Sequence, residues 1–242
     1  MLTISPLFFS LWYLFAPVTI LVDAGHGGTN YGAQAVDGTW EKTLTLDLAL
    51  RLERALAGYP VRVEQIRRTD EYVSLWRRAQ RVRELRPACF VSLHFNASPL
   101  KNRTGVEVYY PRGDLARDPA ARPGGDAPPG DGNPPWDGSP LVDGYLARLQ
   151  REALGVGSRN LARRLAWRLD AAGHKVVQVA PAAFDVITTT GTRALLVEGG
   201  FLDHETEGPR ILDPAHRERL AVALARQLAT LCTEPLERQI NW

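Results

Sequence analysis

Lysine is scarce in this chain: Lys42, Lys101 and Lys175 are the only three, and arginine supplies the rest of the 29 basic residues. That imbalance reads as composition bias before function. Against 27 acidic residues it leaves a net charge of +2, too weak a global field to argue for nucleic acid or an acidic membrane surface. Cysteine is rarer still. Cys89 and Cys232 are not a metal-spaced pair, and Cys89, inside the apolar run Ala88-Cys89-Phe90-Val91, reads as a buried small hydrophobe. A disulfide stays open. The N-terminal apolar block Leu7–Ala16 is only ten residues, too short to span a bilayer.

That block nevertheless has the length of an export-signal core, and residues 1–22 carry no charged side chain. No basic residue precedes it, and Pro17 directly follows Ala16. Residues 1–17 are therefore an apolar N-terminal segment of signal-peptide length, with an extension packed on the domain as the plain alternative. Folding proper begins near Val18. The 242 residues suffice for one sizeable domain with a buried core, and no internal repeat is visible.

Strand and helix signals alternate. Thr19–Val22, Val61–Ile66, Ala88–His94, Val106–Tyr110, Lys175–Val179 and Ala194–Glu198 read as strands, Ala88–His94 as a central one covered on both faces. Helical spacing marks Glu41–Ala57, with Leu44, Leu48, Leu52 and Leu56 on one face. Ser74 caps a helix to Leu85, and Asp213 caps one beginning at Pro214 and running to about Leu231. Two further helices fall at Leu141–Leu154 and Ser158–Ala172. The pattern breaks only at 111–140, where eight prolines and six glycines predict a flexible insertion. The fold class that follows is a single-domain α/β/α sandwich with a mostly parallel central sheet.

Four polar residues stand where such a sheet builds its ligand crevice, outside the carboxyl ends of the strands. His26 follows the first strand, His94 closes the central one, Glu198 closes the last, and Glu41 heads the first helix. A catalytic zinc commonly takes three His and carboxylate ligands and keeps a position for water. A second carboxylate can then accept the water proton and deliver it to a leaving nitrogen. Singly, each residue has a bland reading: a polar loop histidine for His26, a helix-dipole carboxylate for Glu41. His94 and Glu198, after apolar runs, are harder to leave idle.

The order of these residues resembles the zinc-dependent N-acetylmuramoyl-L-alanine amidases of the amidase_3 type. The matching stretches are Val22-Asp23-Ala24-Gly25-His26-Gly27-Gly28, Glu41-Lys42, Arg68-Thr69-Asp70 with Ser74-Leu75 and Arg78, Val91-Ser92-Leu93-His94-Phe95-Asn96-Ala97, Gly105-Val106-Glu107-Val108-Tyr109-Tyr110 and Leu196-Val197-Glu198-Gly199-Gly200-Phe201-Leu202. The resemblance implies His26, Glu41 and His94 as ligands of Zn2+, and Glu198 as the catalytic base. It implies hydrolysis of the amide between N-acetylmuramic acid and L-alanine in peptidoglycan or its fragments.

On this reading 18–233 is the catalytic domain and 234–242 a C-terminal tail. Asn96 is a candidate substrate contact with a structural hydrogen bond as the equal alternative, and Arg68 is expected in a structural salt bridge. The expected place of action is the periplasm, the cell envelope or outside the cell, as a monomer open to an activator protein, without nucleic acid or a stable membrane span. Asp203-His204 departs from the family's usual Ser-Asn; His204 is expected to be a surface loop histidine rather than a fourth ligand. Two rival readings are another zinc peptidase of carboxypeptidase type and a catalytically silent wall-binding protein.

Overall fold

The computed structural model describes residues 17–112, 140–188 and 190–234. The apolar segment before Pro17, most of the Pro/Gly-rich insertion and the tail after Glu234 lie outside the described residues.

Six strands form one sheet: β1 (Val18–Ala24), β2 (Val61–Gln65), β3 (Cys89–Asn96), β4 (Val106–Pro111), β5 (Val176–Ala182) and β6 (Ala194–Phe201). Their order across the sheet is β2-β1-β3-β6-β4-β5. β1 pairs in parallel with β2 and β3, β3 with β6, and β4 with β5; only β4 and β6 run antiparallel. The helices are α1 (Glu41–Leu56), α2 (Leu75–Leu85), α3 (Pro140–Ala171), α4 (Asp185–Thr188), α5 (Glu207–Leu212) and α6 (Pro214–Leu231). This is a single α/β domain with a mostly parallel sheet flanked by helices.

Alternation along the central strands explains the two helical layers. Ile20, Val22, Val91, Leu93, Leu195 and Val197 enter the larger core, shared with the leucines of α1, α3 and α6. Leu21, Phe90, Ala194 and Leu196 point the other way, onto Val82 of α2 and Ile187 of α4. Because both faces are covered, both halves of the strand period are apolar. The α1 stripe Leu44, Leu48, Leu52 and Leu56 is fully or almost fully buried, each side chain contributing about 1.5–3 kcal/mol.

The caps act as their chemistry requires. The Ser74 hydroxyl accepts the Arg77 N–H at 3.3 Å, and the Asp213 carboxylate accepts the Ala215 N–H at 2.9 Å. One expectation fails. The two helices expected at 141–154 and 158–172 are a single 32-residue α3. Ser158 does not cap a new helix; its hydroxyl donates to the Leu154 carbonyl one turn back and accepts the Ala194 N–H of β6. Glycine inside a helix costs about 1 kcal/mol against alanine, a penalty that this tertiary anchorage offsets.

Cys89 and Cys232 form a disulfide, with Cα atoms 5.7 Å apart. It ties the residue just past α6 to the first residue of the central strand. Both are buried, so Cys89 packs as expected of a small hydrophobe and is also a crosslink.

Candidate active site

The site begins with two buried arginines. Arg78 of α2 forms an ion pair with fully buried Asp23 and donates to the carbonyls of Ala24 at 3.1 Å and His26 at 2.7 Å. Arg67 donates to the carbonyls of Ala24 and Gly25 at 2.9 and 2.8 Å, and to Lys42 and Thr69. Buried guanidinium is costly unless its hydrogens are all answered; here they fasten the chain where β1 turns out of the sheet. His26 is held at φ 61°, a left-handed backbone uncommon for a residue with a side chain. On the outer side, Lys42 bonds both Asp70, at 2.7 Å, and the Gly28 carbonyl, at 2.8 Å, closing the loop over the head of α1.

Glu41 is the hub. One carboxylate oxygen lies 3.0 Å from His26 Nε2 and accepts the Ala33 N–H at 2.9 Å. The other lies 3.0 Å from His94 Nδ1 and accepts the Phe95 N–H at 3.1 Å. His26 Nδ1 in turn meets Asn30 Oδ1 at 2.8 Å, which fixes the ring. Burial alone would raise the Glu41 pKa, but the two histidines overcome it and hold the carboxyl well below its ordinary range. Burial also pulls His26 down, and Glu41 more than offsets it, leaving a raised pKa.

Two glycines make room for this packing. A Cβ on Gly25 would stand 2.3 Å from the His94 ring. Gly32, at φ 71°, would put one 2.5 Å from Glu41 Oε2 and 2.8 Å from the His26 ring. The ligand-type atoms of His26, Glu41 and His94 all lie within 4.8 Å of one another and could hold a metal ion. Ligands on one tetrahedral zinc stand about 3.3 Å apart, and two imidazoles with a carboxylate form a known catalytic donor set. The residues therefore fit the ion.

Glu198 faces the same cavity, of about 620 Å³, from β6. It pairs across the sheet with His94, just before a register shift between His94 and Asn96. Such bulges re-aim side chains beside functional sites. Its Oε2 is shielded from solvent and has no hydrogen-bond partner among the described residues. Burial, then the charges of Glu41 and Glu107, push its pKa well above the carboxylate range. Around the opening, Tyr72, Leu75 and Phe184 are exposed, giving the polar floor an apolar rim.

The four sequence candidates thus meet in one cavity. Asn96 lines it too, donating its amide to Glu107 Oε2 at 2.8 Å. His204 lies outside the cluster, where its Nδ1 accepts the N–H groups of Thr206 and Glu207 ahead of α5. Arg68 pairs with Glu53 at 2.6 Å on the surface; the interior role beside it belongs to Arg67. Sequence reasoning gave Glu107 no role, because one carboxylate between valines in a short strand looks solvent-facing. It is fully buried, and Arg103, Asn96 and Tyr109 supply its partners.

The sequence profile of the Amidase_3 family, described as N-acetylmuramoyl-L-alanine amidase, matches residues 20–230. The chain is 39% identical over 97 residues to the sporulation-specific N-acetylmuramoyl-L-alanine amidase of Bacillus subtilis, covering 39% of this chain and 36% of that protein. It is 28% identical over 215 residues to N-acetylmuramoyl-L-alanine amidase CwlM of Bacillus licheniformis, covering 88% and 68%. The aligned stretches span 39%, 26% and 31% of the length of three other curated relatives. Among solved structures, the catalytic domain of the amidase CwlV from Bacillus (Paenibacillus) polymyxa var. colistinus superposes with a TM-score of 0.62. That match covers 87% of this chain and 96% of that one at 24% identity, a likeness of fold.

Proposed function

The chain belongs to the Amidase_3 family of N-acetylmuramoyl-L-alanine amidases, and from that premise we propose that it is a zinc amidase cleaving the bond between N-acetylmuramic acid and L-alanine in peptidoglycan. One observation carries the reading. Two imidazoles and a carboxylate converge at one end of a cavity, and a second carboxylate with an unpartnered oxygen faces them.

His26, Glu41 and His94 would hold the zinc ion, which when bound polarises the scissile carbonyl and acidifies a water molecule. Glu198 accepts the proton of the attacking water and delivers it to the leaving nitrogen, so that the amine departs neutral. Its surroundings suit both transfers, because a carboxyl with a raised proton affinity is the stronger base and holds the proton until the C–N bond breaks. Glu41, meanwhile, stays ionised and keeps both histidines in place.

The rim supports the same substrate class. Tyr72, Leu75 and Phe184 offer apolar surface to a sugar face or lactyl group, while Asn96 adds a polar contact at the floor. The disulfide fits an oxidising compartment outside the cytoplasm, where the wall is. Among the described residues no helix is long and apolar enough to cross a membrane.

Mass spectrometry of peptidoglycan digested by the purified protein, with and without chelator, tests the proposal. The expected products are stem peptides with a free L-alanine amino group and glycan strands stripped of peptide, absent under chelation and restored by zinc. Cleavage inside the stem peptide, or activity indifferent to chelator, would reject the reading.

A further inference from the structure

A second cavity, of about 430 Å³, opens between the turn that ends α3, Arg210 of α5 and one side of α6 from His216 to Gln227. It shares no lining residue with the cavity of Glu198. Two imidazoles meet there, His174 from the turn and His216 from the first turn of α6, with ring centroids 6.1 Å apart and near edge-to-face. Arg210, Arg219 and Arg226 line the same space.

The charge is unbalanced. Several arginines elsewhere on this domain hold carboxylates, as Arg51, Arg62, Arg68 and Arg164 do. Arg210, Arg219 and Arg226 are exposed, and their guanidinium groups have neither an acid nor an acceptor among the described residues. One carboxylate, Glu218, also lines the cavity, and it is engaged with Arg51 at 2.6 Å; Asp213 nearby accepts the Ala215 N–H. Gln227 is likewise occupied, accepting from Arg168.

We propose that this cavity is a binding site for a phosphate group, as a phosphomonoester or phosphodiester, separate from the hydrolytic centre. Three guanidinium groups provide more directed N–H donors than the two oxygens of a carboxylate can use, and match a tetrahedral oxyanion. Neutral His216 adds one N–H, while that of His174 goes to the Arg219 backbone. Val222, 47% exposed at the edge of the cavity, leaves an apolar lip for the carbon substituent of the ester.

The histidines already register the surplus positive charge. Burial, then Arg210, holds His216 at about 4. His174 is lowered by burial and by Arg219 and Arg210, against the effect of its hydrogen bond to the Arg219 backbone. A bound anion reverses that influence, which gives the experiment a local readout that zinc does not share.

The test uses the full chain loaded with zinc. Inorganic phosphate is titrated while the imidazole resonances of His174 and His216 are followed. In parallel, sedimentation with phosphatidylglycerol vesicles is compared with phosphatidylcholine vesicles at about 0.15 M salt. The proposal expects saturable shifts of both imidazoles and a His216 midpoint that climbs from about 4. The double variant Arg210→Ala/Arg219→Ala should bind at least about tenfold more weakly, as expected from losing charge-assisted bonds, and still hydrolyse muropeptides as the wild type does. Silence with free phosphate but selective, arginine-dependent sedimentation with phosphatidylglycerol assigns the site to a lipid headgroup. If neither probe binds, or the double variant binds like the wild type, the proposal is wrong.

Discussion

Glu107 of β4 and Glu198 of β6 stand directly opposite each other across the antiparallel pair, and among the described residues only Glu107 has hydrogen-bond partners for its carboxylate. Glu107 holds Arg103, Asn96 and Tyr109. Glu198 keeps an oxygen without a partner in the cavity and feels the charge of Glu107. On the proposed mechanism these two similar side chains on adjacent strands take different parts, Glu107 holding its neighbours in place and Glu198 carrying the proton.

Glu198→Gln removes the proton acceptor and leaves the three ligand residues untouched. Muropeptide hydrolysis should fall by about 10²–10⁴-fold, with a full equivalent of zinc retained. Steady-state rates and metal analysis on the same preparation check this; near wild-type turnover would remove Glu198 from the mechanism.

The same substitution should remove one contribution to the pH dependence of stability in metal-free protein. The folded-state pKa of Glu198 is raised above its ordinary 4.5. Between those two values the folded protein keeps a proton that the unfolded chain has released, so stability falls as pH rises through the window. Glutamine has no such proton. In chelated samples, the urea midpoint of Glu198→Gln should gain on that of the wild type as the pH rises above 4.5. A constant difference across that range would mean that Glu198 titrates normally.

Gly25→Ala should damage the metal site more than the fold. The added methyl meets the His94 ring at 2.3 Å, with the ring otherwise fastened to Glu41. Zinc affinity should drop by about tenfold or more, as outer positioning changes typically do, while cooperative thermal unfolding persists. Competition with a chromophoric chelator reads the affinity, and an unchanged value would show that the ring moves aside freely.

Replacing both cysteines, as Cys89→Ala/Cys232→Ala, opens a link between residues 143 apart. The expected loss is about 2–5 kcal/mol of unfolding free energy, with the hydrolytic site intact because the bridge sits at the opposite, amino-terminal end of β3. Urea unfolding measures it. An unchanged midpoint would mean that the packing of α6 on the sheet holds that end alone.

Much of this site is legible in the sequence because polar groups at strand ends interrupt strong apolar runs. His94 after Leu93 and Glu198 after Val197 are recognisable for that reason, and Glu41 marks the start of a leucine-striped helix. What escaped depends on distance along the chain. Nothing in Val106-Glu107-Val108 says that the carboxylate faces Glu198, since that needs the antiparallel pairing of β4 with β6. The Cys89–Cys232 pairing likewise waits on α6 returning to β3. Arg67 and Arg68 are neighbours of one type just past β2, and only the folded chain shows that the first turns inward to the carbonyls of Ala24 and Gly25. The unbroken α3 overrode local glycine signals through a hydroxyl bonded to another strand.

The most direct measurement is anomalous diffraction at the zinc absorption edge from crystals of the zinc-loaded protein. A single strong peak is expected about 2.0–2.2 Å from His26 Nε2, a Glu41 carboxylate oxygen and His94 Nδ1. A zinc peak held by other side chains, or none at this cluster while the protein still cleaves peptidoglycan, would contradict the account.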